Sequence, residues 1–452
     1  MTHINLFEEL GWTKNSDEKE KQLIPSLSEV HRSIPVLSHY SFLRKLFAFA
    51  GPGFLVAVGY MDPGNWATDL AGGSKFGYDL LFVILLSNCF AILLQHLALK
   101  LGVVTGRDLA QMCRDTFSKK VAIFFWLMAE VMIVACDLAE VIGSAIALKL
   151  LFGIPILYGV IITAADVLII LLLQRKGFRY IEAVVVTLIA TITACFVAEL
   201  FLSGPAAIPI LQGFVPGKNL ILNPDMLYIA VGILGATVMP HNLYLHSAIV
   251  QTRNYEESEA GKREAIKFAT IDSTVALTLA LFVNASILIV SATTFYFSGH
   301  TSVAEIDEAY KLLTPLLGTG MASILFAVAL LASGQNSTMT GTLAGQIIME
   351  GFINFRMKPW VRRIFTRLMA IIPAVVVVAI YGTTGLTNLL ILSQVVLSIQ
   401  LSFAIFPLVF FTSSSKIMGV FVNSKKLIAL SWAVAIFIAG LNGWLLYTIL
   451  FS

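Results

Sequence analysis

Long apolar stretches separated by short polar segments run from about residue 47 to the end of this chain. Only 13% of its 452 residues are charged and 58% are hydrophobic, whereas a soluble domain usually carries about 25% charged residues. About 20 apolar residues are needed to cross the roughly 30 Å of hydrocarbon in a bilayer, and a helix satisfies its own backbone hydrogen bonds there. The sequence therefore predicts an all-α integral membrane protein embedded in the lipid bilayer.

Eleven of these stretches have the length and composition of transmembrane helices. The predicted spans are 47–74, 80–103, 121–150, 154–174, 180–203, 226–251, 270–297, 317–349, 364–383, 386–411 and 427–450. Residues 1–45 are polar, carry charges of both signs and contain no apolar segment near Met1, so no signal peptide is expected. They are predicted to form a cytoplasmic tail, followed by a transmembrane transporter domain over residues 46–452.

The distribution of lysine and arginine predicts the orientation of the spans. With the N-terminus in the cytoplasm, 26 of the 30 basic residues fall in cytoplasmic segments, as the positive-inside rule requires. The four in outer loops are Lys75, Lys149, Lys218 and Lys311. We therefore expect a multi-pass plasma-membrane protein with an extracellular C-terminus, and its short loops favour a prokaryotic inner membrane.

Spans one and six are each interrupted near their middle. Pro63 and Gly64 follow Asp62 in span one, and Pro240 follows Met239 in span six. Proline removes a backbone donor and clashes with the carbonyl four residues before it, so a break is expected at each place. A lone proline is commonly a packing kink, but Asp62 at bilayer depth is costly without a ligand or partner. Interrupted helices at corresponding positions of two halves point to a transporter's binding site, with spans 1–5 and 6–10 as inverted repeats.

The two breaks together offer several oxygen donors and one sulfur. The donors are the Asp62 carboxylate, the Asn65 amide oxygen, the Met239 thioether and the carbonyls near Gly59 and Ala236. Oxygen ligands suit any hard divalent cation, whereas a thioether favours late transition metals over Mg²⁺ and Ca²⁺. A methionine in a membrane helix is ordinarily an apolar filler. Its position beside Pro240, paired with a second break, favours a ligand.

These residues resemble a known family. Asp62-Pro63-Gly64-Asn65 in span one and Met239-Pro240-His241 in span six are similar to the motifs of the Nramp family of divalent metal transporters. The resemblance implies a LeuT-like inverted-repeat fold with an eleventh helix, alternating access, proton cotransport, and Mn²⁺ or Fe²⁺, with Cd²⁺ and Co²⁺, as substrates. It also implies Gln394 in span ten as a metal ligand in some conformations. One departure is Ser402, where the family pattern has proline.

Span three carries three carboxylates whose spacing places them on one helical face, namely Glu130, Asp137 and Glu140. Carboxylates in a membrane helix are costly unless they face a polar interior, and by default they mark ion or proton routes. His241 and His246 add groups that titrate in the useful range. The alternative is a structural network of ion pairs between spans three and nine.

Further residues complete the predicted proton route. Arg362, Arg363 and Arg367, at the inner start of span nine, are placed to pair with these acids and provide an exit. The family resemblance supports Asp62, His241, Asp137 and Glu140 as proton-route residues. Gln95, in the middle of span two, is expected either to orient Asp62 or only to join two helices.

Three other functions fit the sequence less well. A sodium-coupled amino-acid symporter would hold its substrate's carboxylate at a half-helix N-terminus, where Asp62 would repel it. The second is a membrane-embedded metalloenzyme or receptor. Zinc catalysis would need clustered histidines or a His-Glu-x-x-His pattern, and the seven histidines form neither; neither enzymatic activity nor a cofactor is expected. A channel would show repeated filter loops. No long basic face suggests nucleic acid, and no obligate protein partner is evident.

Overall fold

The structure is a computed structural model that describes residues 25–37, 39–163, 177–217, 219–301, 303, 305–354, 359–381 and 385–451. Its first half consists of helices that follow one another closely. They are α1 (Phe42–Phe49), α2 (Pro52–Gly59), α3 (Pro63–Phe76), α4 (Leu81–Thr105), α5 (Leu109–Thr116), α6 (Lys119–Phe152), α7 (Ile156–Thr163), α8 (Phe178–Ser203), α9 (Ala207–Gly213) and α10 (Asn219–Leu222).

The second half repeats this organisation with a second interrupted helix near its start. Its helices are α11 (Pro224–Thr237), α12 (Pro240–Ile249), α13 (Glu259–Ser291), α14 (Ile306–Leu317), α15 (Gly320–Ile353), α16 (Pro359–Tyr381), α17 (Gly385–Ser413), α18 (Ser415–Met418) and α19 (Lys425–Phe451). A short 3-10 turn, Val250–Thr252, continues α12, and a π-helical turn, Ala292–Tyr296, continues α13.

Eight segments of the described chain are long and apolar enough to cross a membrane, by length and composition. Predicted span one is not among them because it is divided into α2 and α3, and predicted span four begins as α7 but continues outside the described residues. Predicted span nine coincides with α16. The fold class predicted from the sequence is confirmed: the described residues are nearly all helical, with a LeuT-like arrangement.

The two interrupted helices lie at the centre of the molecule. Of the apolar window in Pro224–Thr252, 94% is buried, whereas the corresponding value for the last helix is 28%. All residues of α3 from Pro63 to Ser74 are buried as well. The last helix therefore lies at the periphery, and both breaks are enclosed by the rest of the protein.

The last part of the predicted tail is bound to the transporter domain. The two-residue strand β1 (Ile34–Pro35) pairs in parallel with β2 (Arg253–Asn254), directly after the second broken helix. The backbone N–H of Leu27 donates to the Glu350 carboxylate over 3.1 Å. Residues 1–24 lie outside the described part of the chain.

Candidate metal centre between two broken helices

The first break is built by a proline and a capping aspartate. Helix α2 ends at Gly59, and α3 begins at Pro63 with Asp62 as its N-cap. The Asp62 Oδ1 atom accepts hydrogen bonds from the backbone N–H of Asn65 at 2.9 Å and from its side-chain Nδ2 at 2.7 Å. Proline suits the first position of a helix because the N–H that it lacks has no helical acceptor there. The sequence Asp-Pro-Gly-Asn therefore restarts the helix at this point.

The second break is shorter. Helix α11 ends at Thr237, α12 begins at Pro240, and Met239 is the N-cap with an extended backbone. Met239 is fully buried. Its side chain lies in the enclosed centre of the molecule, and its assignment as a metal ligand remains a prediction.

Side chains from other helices satisfy the carbonyl groups that the first break releases from helical hydrogen bonding. Asn242 Nδ2 donates to the Val56 carbonyl at 3.2 Å. The Tyr60 carbonyl accepts from Asn284 Nδ2 at 2.7 Å, and the Met61 carbonyl accepts from Ser333 Oγ at 2.5 Å. Buried backbone groups need such partners because no water is available to them. The broken geometry is thus held in place by α12, α13 and α15.

Oxygen atoms from both breaks converge on one atom. The Asn65 Nδ2 atom lies 2.7 Å from Asp62 Oδ1, 3.0 Å from the Ala236 carbonyl oxygen and 3.3 Å from the Gly59 carbonyl oxygen. These are three of the predicted oxygen donors. The amide nitrogen carries the positive end of a dipole, so the place it occupies is one where surrounding oxygens favour positive charge.

The second oxygen of Asp62 has no hydrogen-bond partner among the described residues. The side chain is completely buried, and a buried carboxylate without partners is costly. The arrangement therefore favours a cation or a proton on Asp62. No three His, Cys, Asp or Glu side chains of the described residues form a metal-binding cluster, so a metal here would depend on carbonyl, amide and thioether groups as well as the carboxylate.

Gln394 lies against the first break from α17. A Cβ atom added at Gly64 would overlap the Gln394 side-chain amide, so the glycine permits this close approach. Gln394 Nε2 donates to Ser393 Oγ at 3.0 Å, while its Oε1 atom has no hydrogen-bond partner among the described residues. The side chain thus brings a free acceptor to the edge of the centre.

Several of the predicted proton-route residues come together beside this centre. Cys136 Sγ lies 3.5 Å from Glu140 Oε1 and 3.9 Å from His241 Nε2. Asp62 interacts electrostatically with Glu140, and Asp137 with His241. Helix α6 and the start of α12 therefore place two carboxylates and an imidazole next to the first break.

Three further residues of the predicted proton route lie on α6 and α16. Glu130 is half-buried and accepts a hydrogen bond of 2.9 Å from Trp126 Nε1, one turn earlier on the same helix. Arg362 and Arg363 belong to α16, but their side chains lie outside the described residues.

Gln95 and His246 form a separate polar pair. His246 Nδ1 is 3.0 Å from Gln95 Oε1, and Gln95 Nε2 donates to the Tyr60 hydroxyl at 2.8 Å. Both ends of the Gln95 amide are therefore engaged, and the predicted hydrogen bond from Gln95 to Asp62 is wrong. Gln95 instead joins α4 to the end of α2 and to α12, the other role foreseen for it.

Three residues at the centre were given no role by the sequence. Asn284 also donates to Asn65 Oδ1 at 3.2 Å, which ties α13 to the site. Ser333 and Asn242 hold carbonyls of the first break. The only sequence signal for Asn284 is an asparagine within the mainly apolar second half of α13, whereas Asn242 directly follows the Met-Pro-His motif.

A comparison with protein families shows to which family the chain belongs. The family model described as natural resistance-associated macrophage protein-like, Nramp, matches residues 53–448. The chain belongs to the Nramp family. The match includes both broken helices, so the resemblance of the two motifs is confirmed over almost the whole transmembrane region.

Similar full-length proteins support the assignment to Nramp. The chain is 63% identical to a protein of Nostoc sp. named divalent metal cation transporter MntH, over 93% of this chain and 96% of the other. It is 62% identical to a protein of the same name from Listeria innocua, over 97% and 98%. These names describe transporters rather than enzymes, in agreement with the sequence prediction.

Solved structures show the same fold. A manganese transporter from Eremococcus coleocola matches this Nramp chain with a TM-score of 0.86 and 44% identity, covering 92% of this chain and 90% of the other. A transporter of the nucleobase-cation-symport-1 family matches at 15% identity with a TM-score of 0.57. That second likeness concerns the fold alone.

Proposed function

We propose that this Nramp protein imports divalent transition metal ions, with Mn²⁺ foremost, by alternating access and with proton cotransport. The observation that carries the proposal is the convergence of Asp62, Gly59 and Ala236 oxygens on the Asn65 amide nitrogen. A cation in place of that nitrogen would meet oxygens from both broken helices at once. A flip of about 180° would turn the Asn65 amide oxygen toward the ion.

The choice of metal follows from the proposed thioether. Mn²⁺, Fe²⁺, Co²⁺ and Cd²⁺ accept mixed oxygen and sulfur donors, whereas Mg²⁺ and Ca²⁺ gain little from sulfur. Met239 is buried at the second break, three residues after Ala236, whose carbonyl faces Asn65. The names of the similar proteins, divalent metal cation transporter and manganese transporter, support this substrate class. Gln394 would join the ligands when α17 moves relative to α3.

The proposed proton route starts at Asp62 and continues to Glu140, His241 and Asp137. The electrostatic interactions of Asp62 with Glu140 and of His241 with Asp137 support it, and so does the position of Cys136 near both Glu140 and His241. Metal binding to Asp62 would displace its proton toward the carboxylates of α6. Glu130, His246, Arg362 and Arg363 are proposed as its continuation toward the cytoplasm.

The proposal includes the topology predicted by the basic residues. Eleven spans with a cytoplasmic N-terminus leave the C-terminus outside, and the short loops favour a prokaryotic plasma membrane. Metal ions, protons and lipid are then its partners.

The proposal is tested by ion uptake into proteoliposomes of purified protein. We expect Met239→Ala to take up Ca²⁺ and Mg²⁺ that wild type excludes, because the remaining oxygens do not discriminate. Met61→Ala is the matched control: this buried methionine lies in the first break and is not a proposed ligand. Asp62→Ala should abolish uptake of every ion. Unchanged discrimination in Met239→Ala would remove the thioether from the site.

A further inference from the structure

A large apolar cavity lies far from the metal centre, at the periphery of the molecule. It has a volume of about 490 Å³ and lies between the start of α6, the last turns of α17 and the start of α19. This size is within the range of ligand pockets, roughly 300–1,000 Å³. Its lining is apolar except for one lysine: Phe117, Lys120, Val121, Phe124, Phe125, Phe406, Pro407, Phe410 and Trp432.

The walls of this cavity are held in place by ring packing. Phe117 stacks on Phe410 with ring centroids 6.2 Å apart and lies 5.4 Å from Phe125. Phe406 packs on Trp432 at 5.9 Å. Because these contacts link all three helices, the cavity is formed before anything enters it. An occupant therefore needs little reorganisation of the protein.

The surroundings of the cavity identify the medium that it opens to. Phe124, Leu127 and Leu430 are 46%, 48% and 53% exposed, although they lie on two of the helices that form the cavity. Large apolar side chains exposed on spans this hydrophobic face lipid. The occupant is therefore expected to come from the bilayer rather than from water.

The mouth of the cavity is basic. Lys120 lines it, and Lys119 precedes it at the first position of α6. Lys425 and Lys426 are exposed at the first two positions of α19. Trp432 lies seven residues after Lys425, which is about 10 Å deeper along the helix. The positive charge at the mouth suits a phosphate group. The aromatic lining about 10 Å deeper suits the acyl chain of the same molecule.

We propose that this cavity is a groove that binds an anionic phospholipid, with its phosphate at Lys120 and one acyl chain between α6, α17 and α19. Basic pockets between membrane helices on the cytoplasmic side bind anionic head groups, and the predicted orientation places these helix ends there. The occupant would link the peripheral α19 to the two helices that carry Glu140 and Gln394.

The binding of lipid in this groove is tested by fluorescence quenching with brominated lipids. The protein is reconstituted into phosphatidylcholine vesicles containing increasing fractions of brominated phosphatidylglycerol or brominated phosphatidylcholine. The Trp432 signal is the difference between wild type and Trp432→Phe. We expect phosphatidylglycerol to bind about fivefold more tightly than phosphatidylcholine, since one lysine near the surface contributes about 1 kcal/mol.

Variants separate a built site from general surface charge. Lys120→Gln should lose the preference for phosphatidylglycerol, and Lys120→Arg should keep it. Lys267→Gln, which removes an exposed lysine from α13 outside the groove, should also keep it. Val121→Phe should reduce quenching by both lipids because it fills the groove.

Two results would overturn the proposal: equal quenching by the two lipids in wild type, or an unchanged preference in Lys120→Gln. Quenching that Val121→Phe leaves unaltered would also contradict an acyl chain in the groove. The readout does not involve metal transport, so a failure here is distinguishable from a failure of the proposed function.

Discussion

Asn284 connects the candidate metal centre to α13 through two hydrogen bonds. Its Nδ2 atom donates to the Tyr60 carbonyl at 2.7 Å and to Asn65 Oδ1 at 3.2 Å. The first contact satisfies a carbonyl released by the break, and the second orients the side chain on which the site oxygens converge. One amide therefore fixes the backbone of the break and holds Asn65 with its Nδ2 atom toward the site oxygens.

Replacing Asn284 tests this positioning role. We expect Asn284→Ala to weaken Mn²⁺ binding about 5- to 30-fold, because the variant leaves the Tyr60 carbonyl at the break without its donor and a lost buried hydrogen bond costs about 1–2 kcal/mol. Isothermal titration calorimetry of the detergent-purified protein measures the change. Asn442→Ala is the control: Asn442 is also buried and bonds to Ser398 at 2.7 Å, but it joins α19 to α17. Equal losses of affinity in the two variants would indicate a general structural effect.

At the scale of the elements, close packing holds α6 against the first break. A Cβ atom added at Gly143 would overlap the ring of Pro63. The proline cannot move aside as a flexible side chain can, so only a residue without a side chain fits. This contact places the helix that carries Asp137 and Glu140 directly beside Asp62.

Gly143→Ala should therefore lower the free energy of unfolding by about 1–3 kcal/mol, the usual cost of overpacking. Gly440→Ala provides the matched control, since the added methyl group would meet nothing within 4 Å. That change should stabilise the helix slightly, by about 0.5–1 kcal/mol. Thermal unfolding in detergent compares the two variants. A loss of stability in Gly440→Ala, or none in Gly143→Ala, would contradict the packing argument.

Buried charged side chains cap the junction between α1 and α2. Arg253, fully buried, pairs with Glu182 at 2.6 Å and donates to the Ala50 carbonyl at 2.8 Å. Asp272 accepts from the backbone N–H of Gly53 at 2.7 Å. Helix ends inside the protein leave backbone groups without partners, and these charged side chains provide them.

We expect Arg253→Ala to destabilise the protein by about 3–5 kcal/mol, because it leaves the buried Glu182 without its main cation. Arg263→Ala removes an arginine whose ion pair with Glu259 is exposed, at side-chain exposures of 58% and 55%. Its effect should stay within about 0.5 kcal/mol. Thermal unfolding measures the loss of stability in both variants. Similar losses would show that burial of the Arg253–Glu182 pair does not account for its contribution.

Some of these features were predicted from the sequence and others were not. Breaks at Pro63 and Pro240 were predicted because a proline beside an ionisable residue is costly to accommodate in a continuous membrane helix. The β1–β2 pair and the capping by Arg253 were not predicted, since both join residues more than 200 positions apart or in short polar segments. For Gln95 two roles were left open, because a glutamine in a membrane helix does not reveal which of its neighbours it faces. The local pattern of residues determines where a residue lies within a span, whereas its contact partners depend on how the helices pack together.

At the scale of the whole molecule, the centre lies where the two halves of the fold meet. Oxygens of Asp62 and Gly59 come from the first broken helix, and the Ala236 oxygen from the second. A relative movement of the halves would change the distances between these donors. Because Asp62 also interacts electrostatically with Glu140, the charge of an ion bound at Asp62 would act on the acids of α6.

This coupling predicts how Glu140→Gln should behave. The variant keeps every proposed metal ligand, so Mn²⁺ should still bind with nearly unchanged affinity. It removes the first carboxylate beyond Asp62, so most of the acidification that accompanies Mn²⁺ uptake should be lost. A pH-sensitive dye inside proteoliposomes, read together with Mn²⁺ uptake, gives both quantities. Glu199→Gln is the matched control because Glu199 is equally buried, in α8, and has no hydrogen-bond partner among the described residues. Normal acidification in Glu140→Gln would remove α6 from the proton route, and loss in both variants would make the effect one of general carboxylate burial.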